Sequence, residues 1–121
     1  MSGALLVAAG GALGALLRYG SVALVTRAWG ASFPVGTLAV NGLGSLAAGA
    51  LVGALAARED SVSLRLFWGV GVLGGFTTFS AFSIDTLNLL REQRVLAAVG
   101  YLAGSILAAL GAAALGFRLT R

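Results

Sequence analysis

Four nearly uninterrupted apolar runs, at about 3–25, 35–57, 66–90 and 95–117, decide what this chain can fold into. Each is close to the ~20 residues an α-helix needs to cross a hydrocarbon core at about 1.5 Å per residue. Such a segment must satisfy its backbone internally, so helices are the expected element. The runs are separated by Arg27 to Pro34, by the charged stretch from Arg58-Glu59-Asp60 through Arg65, and by Arg91-Glu92-Gln93-Arg94. All three connections are short, and residues 1–121 read as one transmembrane domain with no soluble part. The first run has no basic start and carries Arg18-Tyr19 well inside it, so it reads as a retained helix rather than a leader. Only 10% of residues are charged and the mean hydropathy is +0.98, which places the chain outside the soluble globular class.

Composition then removes most chemistry. Without cysteine or histidine, thiol catalysis, sulfur-held metals and an imidazole base are excluded. The net charge of +4 comes from eight arginines against four acids, scattered rather than gathered, so they read as loop and helix-end charges and not as a nucleic-acid surface.

Nineteen glycines supply a G-x-x-x-G pair to every run: Gly10/Gly14, Gly49/Gly53, Gly71/Gly75 and Gly100/Gly104. Small residues let helix backbones approach in lipid, so the four pairs predict a bundle in which every helix makes close contacts. Polar residues inside the runs also line up. Thr37, Asn41 and Ser45 fall at i, i+4, i+8; Thr77, Ser80 and Ser83 at i, i+3, i+6, beside Phe76, Phe79 and Phe82; Tyr101 and Ser105 at i, i+4. A lone hydroxyl commonly bonds back to its own helix. Three aligned stripes and an asparagine amide favour a polar track through the membrane. The segment GGFTTFSAFS at 74–83 is a poor helix former close to the midpoint of the third run. A break there is tolerated only if it is buried or lines a cavity, where half-helix ends make an ion site; a simple packing kink is the alternative.

The segments GTLAVNGLG at 36–44, GVLGGFTTFSAFS at 71–83, GALLRY at 14–19 and YLAGS at 101–105 resemble motifs of the Fluc fluoride channel family, also called CrcB. The resemblance covers all four runs. It implies an all-α integral membrane protein of the plasma (inner) membrane, with four transmembrane helices, a break in the third, and an antiparallel, dual-topology homodimer. Two fluoride pores and a structural sodium ion between the subunits go with that assembly. By motif position, the sodium ligands would be the backbone carbonyls of Gly74 and Thr77. Phe79 and Phe82 would offer ring edges to fluoride, Asn41, Ser80 and Ser105 would donate hydrogen bonds, Tyr101 would help line the path, and Arg18 would draw anions into a vestibule. On position alone, Arg18 fits equally well a guanidinium snorkelling to the headgroups. Ala81 stands where the family commonly has threonine, and Asp85 has no assigned role. The function implied is passive, fluoride-selective efflux that relieves fluoride toxicity, with no enzymatic activity.

The main alternative is a small dual-topology, proton-coupled drug or cation antiporter. Such exchangers resemble one another in carrying a carboxylate in the first helix, and residues 3–25 contain no acid. A non-transporting scaffold would leave the Asn41 and Phe79 stripes without purpose. Arginines divide almost evenly by side: Arg58, Arg65, Arg118 and Arg121 against Arg27, Arg91 and Arg94. That near-balance leaves the orientation of insertion unbiased.

Overall fold

Each apolar run becomes helical, and local chemistry rather than hydropathy sets where the helices end. The computed structural model covers Met1–Arg121. In α1 (Gly3–Trp29) the Ser2 hydroxyl accepts from the Leu5 N–H at 3.3 Å, and the helix stops where Gly30 turns to φ 81. It therefore runs four residues past its apolar stretch. Helix α2 (Val35–Ala54) starts after Pro34, whose fixed φ and missing N–H suit a helix entry. The third span, Val62–Arg91, is divided. Its first half, α3, is α-helical at Val62–Leu64, π-helical at Arg65–Leu73 and α-helical again at Gly74–Phe76. Its second half is α4 (Phe79–Arg91), and α5 (Val95–Thr120) completes the chain. Four spans are thus long and apolar enough to cross a membrane, the third one interrupted.

Glycine makes the packing possible, though not uniformly. Helices α2 and α5 form the most extensive pair, and α1 with α3 the next. A methyl group at Gly49 would run into the Ala113 carbonyl, and one at Gly116 into that of Leu46, so these backbones touch. Gly10 and Gly14 likewise face the backbone of Phe67, Val72 and Phe76, and Gly75 faces that of Gly11. The residues meeting α1 are thus 67, 71–72 and 75–76, steps of four to five. That spacing keeps them on one face of the helix, toward α1. The fourth pair departs from expectation: Gly100 and Gly104 have open space within 4 Å, so they pack on nothing inside the protomer.

The loops are tied on both sides of the bundle. Arg94 Nη1 donates to the Ser32 carbonyl, joining the α4–α5 turn to the α1–α2 loop. At the opposite end Thr120 Oγ1 donates to Ala50 O at 2.8 Å, and Arg65 Nη2 to Leu55 O at 2.8 Å. The α4–α5 turn closes with Arg94 N–H to Leu89 O and Gln93 N–H to Leu90 O, both 2.9 Å, a Schellman pair. Its left-handed residue is Gln93 at φ 60, where a side chain costs roughly 1–2 kcal/mol relative to glycine. Gln93→Gly is accordingly expected to stabilise the protein by about 1 kcal/mol. A thermal midpoint in detergent no higher than the parent's would count against that reading of the turn.

Candidate functional site: the interrupted third span

The interruption occupies two residues, Thr77 (φ −84, ψ 156) and Thr78 (φ −151, ψ 119), both extended. Gly74 to Phe76 remain helical, so the break is made by the β-branched threonines rather than by the glycines ahead of them. Three side chains hold it. Asn41 Oδ1 accepts from the Thr78 N–H at 2.7 Å while its Nδ2 donates to the Thr78 carbonyl at 2.9 Å. Thr78 Oγ1 then caps α4 by accepting from the Ala81 N–H at 3.1 Å. Arg18 Nε donates to Gly75 O at 3.0 Å, placing a positive group on the negative end of α3. Arg18 lies eleven residues before Trp29, about 16 Å along α1, so it acts at mid-depth and does not snorkel.

These diversions free carbonyls. In a continuous helix the Thr78 N–H would bond Gly74 O and the Ala81 N–H would bond Thr77 O. Here those donors go to Asn41 and to the Thr78 hydroxyl. Phe79 and Ser80 N–H make no bond back across the break either, so the carbonyls of Gly74, Gly75, Phe76 and Thr77 all lose their helical partners, and Gly75 O takes Arg18 instead. A methyl group at Gly74 would meet only Gly69 O, at 3.8 Å, so this side of the break is open. Carbonyl oxygens released in this way are donors that could hold a hard cation.

A groove of about 520 Å³ runs past the break, lined by Asn41, Ser45, Gly74, Thr77, Thr78, Phe79, Phe82 and Ser105 among others. Phe79 stands 79% exposed on its rim, while Phe82 is buried with its ring centroid 5.4 Å away. Ser105 Oγ is the buried side-chain polar atom without a hydrogen-bond partner. A second cavity of about 420 Å³ lies across the break, with Arg18, Tyr19, Thr37, Thr78 and Ala81 in its wall. Arg18 therefore sits apart from the groove that holds Asn41. The methyl of Ala81 faces the Arg18 side, so the hydroxyl that a threonine would bring belongs to the smaller cavity.

The remaining polar residues sort themselves by their partners. Thr77, Ser83 and Thr86 bond back to Leu73 O, Phe79 O and Phe82 O, at 2.8, 2.9 and 2.8 Å, the ordinary behaviour of helical hydroxyls. Ser80 Oγ is exposed and pairs with Thr78 Oγ1 at 3.3 Å. Tyr101 is 1% exposed, donates its hydroxyl to Asp85 Oδ2 at 3.0 Å and packs behind Phe82 rather than on the groove. Asp85 gains a partner that the sequence did not suggest. No sequence feature marks the π segment, since Phe67, Gly71 and Gly75 keep the i, i+4 spacing of an ordinary helix face.

A multi-pass membrane protein with a mid-span break facing a polar-aromatic groove is the architecture of a small ion pathway. The family described as CrcB-like protein, Camphor Resistance (CrcB), matches residues 5–117. A fluoride-specific ion channel FluC from Thermus thermophilus is 52% identical over 115 residues, 95% of this chain and 92% of the relative. Another protein of that name, from Novosphingobium aromaticivorans, is 46% identical over 123 residues, 100% of this chain and 98% of its own. A third, from a Chelativorans species, is 53% identical over 110 residues, 86% of this chain and 87% of the relative. The chain belongs to the CrcB family.

Proposed function

We propose that this protein is a fluoride-selective channel, giving passive efflux of fluoride from the cytoplasm. The observation that carries the reading is the unpartnered, buried hydroxyl of Ser105 in a groove shared with Asn41 and the two phenylalanines. A hydroxyl donor without an acceptor, beside ring edges of positive potential, suits a small anion stripped of water. Fluoride is small and strongly hydrated, so many short donors must replace its water; chloride is too large for the same arrangement. The second N–H of Asn41 adds a donor to this path, and Arg18 in the smaller cavity raises the anion concentration beside it. A membrane potential of about −100 mV drives a monovalent anion outward with ~2.3 kcal/mol. No carboxylate occurs in α1, which disfavours a proton-coupled antiporter.

The working unit in this account is an antiparallel homodimer in the plasma membrane. Its support is the near-balance of arginines, the open Gly74 side of the break, and the unpacked face at Gly100 and Gly104. Inversion about an axis in the membrane plane brings two breaks together at mid-depth. A sodium ion held by Gly74 O and Thr77 O of both copies would supply the positive charge that four converging carbonyls need, and join the subunits.

Cells lacking their own fluoride exporter give the test. The parent chain is expected to restore growth in fluoride. Two or three lysines added to the first and third loops, or to the termini and second loop, bias insertion to one side. Each biased chain should protect poorly alone and well when both are expressed. Full protection by one chain whose labelling shows a single orientation would contradict the antiparallel unit.

A further inference from the structure

Phe33 lies in the α1–α2 loop, outside the groove and outside every motif considered above. Its backbone is held from both sides. Arg94 binds the carbonyl of Ser32, and the Phe33 carbonyl accepts from the Val35 N–H at 2.8 Å across Pro34, whose φ −78 and ψ 60 form an inverse γ-turn. The Phe33 ring meets Tyr101 edge-on, with centroids 5.5 Å apart and planes at 85°. Tyr101 in turn lies 5.3 Å from Phe82, and Phe82 lies 5.4 Å from Phe79 on the rim of the groove. Four rings thus form one chain from a pinned loop to the ion path. Tyr101 has little freedom of its own, being 1% exposed and tethered to Asp85 through its hydroxyl. Phe33 packs on the cluster that holds Tyr101 and Phe82, beside Leu38, Ala97 and Leu102.

We propose that Phe33 is a positioning residue for transport: it wedges Tyr101 against Phe82 and so fixes the ring edge that Phe82 presents to the anion. This rests on the fluoride-channel reading. Phe33 meets Tyr101 edge-on and Tyr101 meets Phe82 at a 44° tilt, so removing the Phe33 ring opens a gap into which Tyr101 can tilt about its Asp85 tether, with Phe82 following. The α1–α2 loop then sets the conductance of a site it does not touch.

The test compares Phe33→Ala and Phe33→Leu with the conservative Phe33→Tyr. Fluoride efflux from reconstituted vesicles is expected to fall about tenfold in the first two and to stay within about twofold of the parent in the third, the rate equivalent of one aromatic contact. The second readout does not use transport. 4-Fluorophenylalanine placed at position 82 should give a ¹⁹F resonance that shifts or broadens in Phe33→Leu and matches the parent in Phe33→Tyr. Should Phe33→Ala fail to assemble, the leucine and tyrosine variants decide by the same criteria. Unchanged flux in Phe33→Leu, or equal losses in Phe33→Leu and Phe33→Tyr, overturns the proposal, as does a position-82 resonance indifferent to residue 33. A parent that carries no fluoride would refute the channel reading instead, and the resonance would still report whether Phe33 positions Phe82.

Discussion

Asn41→Asp is expected to lower fluoride flux by about 10³-fold or more. The substitution is nearly isosteric, so its effect is chemical. Asn41 uses both ends of its amide on Thr78, accepting from the N–H at 2.7 Å and donating to the carbonyl at 2.9 Å. A carboxylate keeps the first bond and turns the second into a contact between two oxygens. It also sets a fixed negative charge beside the path. At 4 Å and an effective dielectric constant of about 20, repulsion between unit charges is ~4 kcal/mol, or about 10³ in rate. Efflux from vesicles containing Asn41→Asp, measured beside the parent, checks this. Flux within about tenfold of the parent's would mean that Asn41 only braces the break and does not face the anion.

Phe82→Ile and Phe79→Ile should each reduce fluoride flux by about 10²-fold, the scale on which a donor aimed at a desolvated anion matters elsewhere. Isoleucine keeps an apolar side chain and removes the quadrupole. The two variants differ in their side effects. Phe82 is 7% exposed and touches both Phe79 and Tyr101, so Phe82→Ile also costs about 1 kcal/mol of packing. Phe79 is 79% exposed on the protomer, so Phe79→Ile leaves protomer stability near the parent value. A loss of flux in Phe79→Ile with normal assembly would isolate the ring itself. Undiminished flux in both variants would remove the phenylalanines from the pathway.

Hydropathy placed four spans where four are found, because a membrane span is a requirement on length and composition that the sequence states directly. The position of the break was also legible: threonines and glycines at mid-span disfavour a helix, and Thr77 and Thr78 are its extended residues. Less visible was which atoms close it. The spacing of Thr37, Asn41 and Ser45 defines a face of α2, but not that Asn41 meets Thr78, thirty-seven residues away. On position alone Arg18 fits snorkelling to the headgroups as well as an anion vestibule, because its run stops at about 25. The structure carries α1 on to Trp29, which moves Arg18 to mid-depth against Gly75 O. Equal spacing likewise gave the hydroxyls of Thr77, Ser80 and Ser83 equal weight. Only geometry separates Thr77 and Ser83, bonded to their own helix, from Ser80, which pairs with Thr78. The π segment is not legible because Phe67, Gly71 and Gly75 keep the i, i+4 spacing of an ordinary α-helix.

Fluoride efflux from liposomes reconstituted with the purified protein, followed with a fluoride electrode beside a chloride control, is the most direct measurement. The account predicts rapid release of fluoride down its gradient, electrically balanced by an added potassium ionophore, with chloride retained. Release of both anions alike, or of neither, would contradict it.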